Sequence, residues 1–144
     1  MDEETLGAWR ALLNAHARIT GQVEEALAAA GLPPLAWYDV LWPLYRARAP
    51  ARRLRMGALA AEVTLSRTGL TRLVDRIEEA GLVRRESVAE DRRGSYIVLT
   101  RAGAELLRRM WPVYERVLDE AFAAQLRNPR ALRRALEPLG RRPS

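Results

Sequence analysis

The chain has 144 residues, 49% of them apolar, which suits one ordinary domain with a buried core. It has no cysteine, so disulfides, zinc–thiolate sites and cysteine nucleophiles are excluded, and His16 is its single histidine. Net charge is +6, and all 24 basic residues are arginine, whose planar fork suits phosphate and guanine.

No apolar run approaches the roughly 20 residues of a membrane span. The start, Met1-Asp2-Glu3-Glu4, lacks the basic-then-apolar pattern of a secretory signal, so a cytoplasmic protein is expected.

From the N-terminus, residues 3–30 read as a long helix. Leu6, Trp9, Leu13, His16, Thr20, Val23 and Leu27 recur at three- and four-residue spacings, widened by Leu12, Ile19 and Ala26. Gly31 closes it, and Pro33-Pro34 prevents its continuation. A second helix is expected from about Pro34 to Arg48. Trp37, Tyr38, Val40, Leu41, Trp42, Leu44 and Tyr45 make it apolar almost all round, with Pro43 inside.

After a linker at Ala49-Pro50-Ala51, residues 56–63 form a short helix. Thr64-Leu65-Ser66 is a turn with Ser66 as N-cap, and residues 66–80 form an amphipathic helix stopped by Gly81. The period then changes. Leu82–Glu86 and Ser95–Leu99 read as two strands around a polar loop, Ser87–Gly94, giving a hairpin over 82–99. Thr100 caps a long helix from Arg101 to about Leu126, with a kink expected near residue 109 before Pro112. Asn128-Pro129 breaks the chain, and a last helix runs from Arg130 to Leu139.

On the 66–80 helix, Leu70, Leu73, Val74 and Ile77 share one face. Thr68, Arg72, Asp75 and Glu79 project from the other, flanked by Thr71 and Arg76. A short helix, a turn and an amphipathic helix make a helix-turn-helix, whose second helix enters the major groove with its N-terminal half on base edges. That half carries Arg67, Thr68, Thr71 and Arg72. Arg72 is expected to reach guanine bidentately and Arg76 a phosphate. At the hairpin tip, Arg92 and Arg93 suit a narrow minor groove. Asp91 repels phosphate, so its expected role is to brace the loop or orient an arginine. Asp75 is likewise expected to pair with an arginine, either Arg72 or one from the wing, rather than to read bases.

The run Leu65-Ser66-Arg67-Thr68-Gly69-Leu70-Thr71-Arg72-Leu73-Val74-Asp75-Arg76-Ile77 through Gly81-Leu82-Val83-Arg84-Arg85 resembles the recognition helix and first wing strand of the MarR family of bacterial regulators. Asp91-Arg92-Arg93-Gly94-Ser95, followed by Val98-Leu99-Thr100, resembles that family's Asp-x-Arg wing, and the flanking helices occur in the family's order. The resemblance implies one mainly α domain over 1–144 with a small two-stranded β wing. Its winged helix-turn-helix spans 54–100, and a helical dimerisation region spans 3–30 and 101–139. It implies a homodimer on a pseudo-palindromic double-stranded DNA operator, more often a repressor than an activator, released by a small aromatic or phenolic effector. Within this picture Arg67, Thr68, Thr71, Arg72, Arg76, Arg92, Arg93 and Ser95 are the candidate DNA-binding residues, and Asp75 and Asp91 the bracing ones. Without cysteine, thiol redox sensing is excluded.

Other residues keep two readings. His16 is a buried or interfacial histidine, or part of an effector pocket with Trp37, Tyr38, Trp42 and Trp111, which are otherwise core aromatics. Arg52, Arg53 and Arg55 form a solvated linker cluster or contact phosphate. The chain lacks a nucleophile–base pair, a phosphate-binding glycine loop and metal-ligand spacing, so no enzyme activity, cofactor or metal is expected. The rival functions are a winged-helix protein-interaction module and a small-molecule-binding helical protein.

Overall fold

The computed structural model describes residues 1–48, 51–63, 67–88 and 91–141, apart from the side chains of residues 67, 68, 88 and 91–93. Helix α1, Glu3–Ala29, starts at Asp2, whose Oδ1 accepts from the Thr5 amide at 2.7 Å, and Glu3 and Glu4 favour its positive end. It ends where Gly31 takes φ +69, with Leu32 N donating to Leu27 O and Gly31 N to Ala28 O. Helix α2, Leu35–Arg46, begins with the Leu35 amide donating to Glu24 Oε1 of α1 at 2.7 Å. It closes two residues before the expected Arg48.

Strand β1, Arg53–Arg55, runs directly into α3, Met56–Glu62, and α4 follows at Arg67–Glu79. The expected turn at Thr64-Leu65-Ser66 and the Ser66 cap lie outside the described residues. Gly81, at φ +78, closes α4 as Gly31 closes α1: Leu82 N donates to Ile77 O and Gly81 N to Glu78 O. Strands β2, Val83–Val88, and β3, Asp91–Leu99, pair antiparallel, with β1 on the other edge of β3.

The sheet therefore has three strands where the sequence predicts two. Its β2 and β3 also run further into the polar stretch than Glu86 and Ser95. Ladder hydrogen bonds are made by the backbone, so they continue where apolar alternation of the side chains has stopped. In β1, a single apolar residue between two arginines is too short a pattern to register as a strand.

Helix α5, Arg101–Ala121, is capped by Thr100, whose Oγ1 accepts from Gly103 N at 3.1 Å. It stops five residues short of the expected Leu126. A 3-10 turn, Ala123–Gln125, follows, and Asn128 Oδ1 caps α6, Pro129–Gly140, by accepting from Ala131 N.

The core joins Val23 and Leu27 of α1, Val40, Leu41 and Leu44 of α2, Leu59 of α3, and Leu70, Val74 and Ile77 of α4. Val83 and Ile97 of the sheet and Leu106, Leu107 and Met110 of α5 complete it. Each such aliphatic contributes about 1.5–3 kcal/mol on burial, enough to fix which face of α4 turns inward. The first turns of the α1 seam stay uncovered at Leu6, Trp9 and Leu13, while Leu12, Ile19 and Ala26 are half-buried.

Candidate nucleic-acid interface

With Leu70, Val74 and Ile77 anchored, the opposite face of α4 points to solvent. Thr71, Arg72, Asp75, Arg76 and Glu79 are all exposed. Among the described residues neither Arg72 nor Arg76 forms an ion pair with a carboxylate. Arg67 and Thr68 open the same helix. Their side chains, and those of Asp91, Arg92 and Arg93, lie outside the described residues. Ser95 is half-buried on β3, opposite Ser87.

Asp75 is held by the wing. Its Oδ1 accepts from Arg85 Nη2 at 2.6 Å, and Arg85 Nη1 donates to Glu78 Oε1 at 2.6 Å. Partial burial pulls the Arg85 guanidinium pKa down, but the bonds to Asp75 and Glu78 outweigh it and leave it raised. Of the two expected partners for Asp75, Arg72 or a wing arginine, the wing supplies it as Arg85; Glu78 is the member of the group that the sequence did not single out. Strand alternation carried the signal: Arg85 lies two residues from buried Val83 and opposite buried Ile97, so it faces α4.

The base of the wing is clasped to α5. Thr100 N donates to Leu82 O at 3.1 Å, and Thr100 Oγ1 donates to Gly81 O at 2.7 Å. Gly103 lies so close to this turn that a Cβ there would fall 2.2 Å from Leu82 O.

Arg52, Arg53 and Arg55 are not a free linker cluster. The Arg53 guanidinium lies 4.2 Å from the Tyr96 ring centre and pairs with Glu86 at 3.3 Å. Arg55 sits 5.6 Å from the same ring, and Arg52 is 4.1 Å from the Tyr45 ring. A hydrogen bond from Arg84, helped by Arg53, holds the Glu86 carboxyl below the usual range. The sheet and these cation–π contacts thus give each arginine a partner on the protein surface, with Arg53 and Arg55 still exposed.

The five aromatic or histidine candidates for an effector pocket do not converge. Tyr38, Trp42 and Trp111 line a cavity of about 570 Å³ with Asp39, Tyr45, Arg108 and Tyr114. Tyr38 stacks between Trp42 at 6.1 Å and Trp111 at 6.2 Å, and meets Tyr114 edge-on at 5.3 Å. Burial pushes the Tyr38 hydroxyl up to about 12 and raises Tyr114. Burial also raises Asp39, with a contribution from Glu24.

His16 is exposed instead in a neighbouring groove of about 850 Å³ between α1, α5 and α6, lined by Trp9, Leu12, Ile19, Leu132 and Leu136 among others and sharing Tyr114 and Leu118 with the aromatic cavity. Trp37 lines neither and packs on the core. The physical reason lies in the helix faces: His16 is two turns before Val23, where α1 has already left the α2 aromatics.

Among the described residues no group of three or more histidine or acidic side chains is arranged to hold a metal ion. Nor is any helix long and apolar enough to cross a membrane. The helix pair, the strapped hairpin and the flanking long helices define a winged helix-turn-helix protein.

A family model described as the MarR family matches residues 30–94. AbsC from Streptomyces coelicolor, a MarR family transcriptional regulator, aligns with a TM-score of 0.84 at 32% identity over 96% of this chain and 93% of that one. Sco3205 from the same organism, a MarR family transcriptional regulator in complex with DNA, gives a TM-score of 0.83 at 30% identity over 96% and 85%. The chain belongs to the MarR family. The HTH-type transcriptional regulator PrsX of Escherichia coli is 31% identical over 110 residues, which is 76% of this chain and 64% of that relative's length.

Proposed function

We propose that the chain is a cytoplasmic, non-enzymatic transcription regulator that binds a pseudo-palindromic double-stranded DNA operator as a homodimer and acts as a repressor. The observation that carries this reading is the exposed Arg72 and Arg76 face of α4, held to a wing. Arg72 approaches a guanine edge, Arg76 a phosphate, and the wing arginines Arg92 and Arg93 the adjacent minor groove. The similarity to Sco3205, which was crystallised in complex with DNA, supports DNA binding here.

One winged unit reads a half-site only. The apolar groove of α1, α5 and α6, with exposed Trp9, Leu13 and Leu139, supports burial of that surface against a second copy. The aromatic cavity supports release by a small aromatic effector, which Trp42 and Trp111 fluorescence would report.

The deciding experiment is fluorescence anisotropy on duplexes selected from random-sequence DNA. Arg72→Ala is expected to cost about 1–3 kcal/mol and to relax sequence choice, while Arg76→Ala weakens all sequences alike. An Arg72→Ala protein with unchanged affinity and unchanged sequence preference would remove this docking of α4.

A further inference from the structure

Arg85 ties the wing to the recognition helix at three points. Its own amide donates to Glu78 Oε2 at 2.9 Å, Nη1 donates to Glu78 Oε1 at 2.6 Å, and Nη2 to Asp75 Oδ1 at 2.6 Å. Asp75 and Glu78 are three residues apart and so lie one above the other on α4. One planar guanidinium spans both carboxylates, and the amide bond fixes the strand as well as the side chain. The Arg85 side chain is 27% exposed and that of Asp75 55%, so the part-buried bonds to Glu78 are the less screened of the set.

We infer that Arg85 is a positioning residue for DNA recognition: it fixes the angle between α4 and β2, so that helix and wing meet DNA as one piece, and it masks two carboxylates that would otherwise repel phosphate. This rests on the proposed docking of α4 and the wing. Asp75 and Glu78 put two negative charges on the helix whose other exposed charges include Arg72 and Arg76. With Arg85 engaged, that surface carries one net negative charge fewer. Without it, the Gly81 turn and the packing of Val83 into the shared core still join α4 to β2, but the three bonds that link Arg85 to Asp75 and Glu78 are lost. Lysine cannot substitute fully, because a single ammonium does not span two carboxylates as a planar fork does.

The test compares wild type, Arg85→Lys, Arg85→Ala and the triple variant Arg85→Ala/Asp75→Asn/Glu78→Gln. The probes are a duplex selected by the wild-type protein and a random duplex, read by anisotropy and by hydroxyl-radical footprinting in the minor groove. Arg85→Lys is expected to lose about tenfold in affinity for the selected duplex, the scale of one base-pair contact, and distinctly less for the random one. Its footprint keeps the centre of each half-site and loses the flank under the wing. The triple variant recovers affinity for random duplex relative to Arg85→Ala but does not recover the flank, which separates masking from positioning.

Melting curves decide which variants are folded. If Arg85→Ala is not, Arg85→Lys carries the test. A folded Arg85→Lys protein with an unchanged selected-to-random ratio and an intact flank overturns the inference. A wild-type protein that protects no duplex removes the docking itself, and the inference with it.

Discussion

Replacing Gly103 by alanine probes the clasp between the wing and α5. An added Cβ would lie 2.2 Å from Leu82 O, 2.6 Å from Leu99 Cδ1 and 3.2 Å from Leu82 C. A comfortable carbon–oxygen contact is about 3.3 Å or more, so α5 and the Leu82 carbonyl must separate by roughly 1 Å. The leucine methyl can rotate away, but the carbonyl belongs to the backbone and accepts from Thr100 N.

Overpacking of this kind costs about 3 kcal/mol at the upper end of its usual range. A strained or broken Thr100 to Leu82 hydrogen bond adds about 1 kcal/mol. Alanine's better helix propensity returns up to about 1 kcal/mol. The net loss is therefore about 3 kcal/mol, a fall in Tm of roughly 6–12 °C for a chain of this size. Melting by circular dichroism, at one protomer concentration for both proteins, measures it. A Gly103→Ala protein that melts at or above wild type would show that propensity outweighs the contact and that the close approach is wrong.

Two further outcomes are expected. For DNA binding by a dimer that displaces about eight phosphate counterions, log K falls against log salt with a slope near −7, and a single winged unit gives about half of that; a slope near zero rejects phosphate contact. Alkaline stability tests the aromatic cavity. The Tyr38 pKa is raised from 10.0 to about 12, so its contribution is complete below pH 10 and is lost as pH rises toward 12, because the unfolded chain ionises first. The chain has no lysine or cysteine to titrate in that window, so Tyr38→Phe should retain more of its neutral-pH stability at pH 11 than wild type does. Equal losses in both would place the Tyr38 hydroxyl in water.

The helices were legible because period and punctuation agreed. Leu70, Leu73, Val74 and Ile77 mark one face of α4, and Gly31 and Gly81 both take the positive φ that stops a helix. Strand β1 was not legible, because Leu54 between two arginines looks like linker until β3 supplies its partner. Asp75 pointed to an arginine, but its choice of Arg85 depends on the strand register that turns that side chain toward α4.

The aromatic group was misjudged in part because sequence gives helix faces without their crossing. Tyr38, Trp42 and Trp111 meet, whereas His16 lies with Trp9 and Leu12 on a different wall and Trp37 turns to the core. The exposure of the first turns of α1 was hidden for a related reason, since an apolar seam looks the same whether its own chain or another covers it.

The pairing of β1 with β3 has a mechanical consequence. The chain enters the winged unit at Arg53 and leaves it past Val98, and these two residues are partners in the ladder. Entry and exit therefore lie side by side, like the two leaves of one door hinge. Everything between them, the helix pair and the wing, is closed on itself by strand pairing at its own base. One core joins that unit to α2 and α5, and Thr100 binds both Leu82 O and Gly81 O, so a push on α5 passes to the helix pair and wing together.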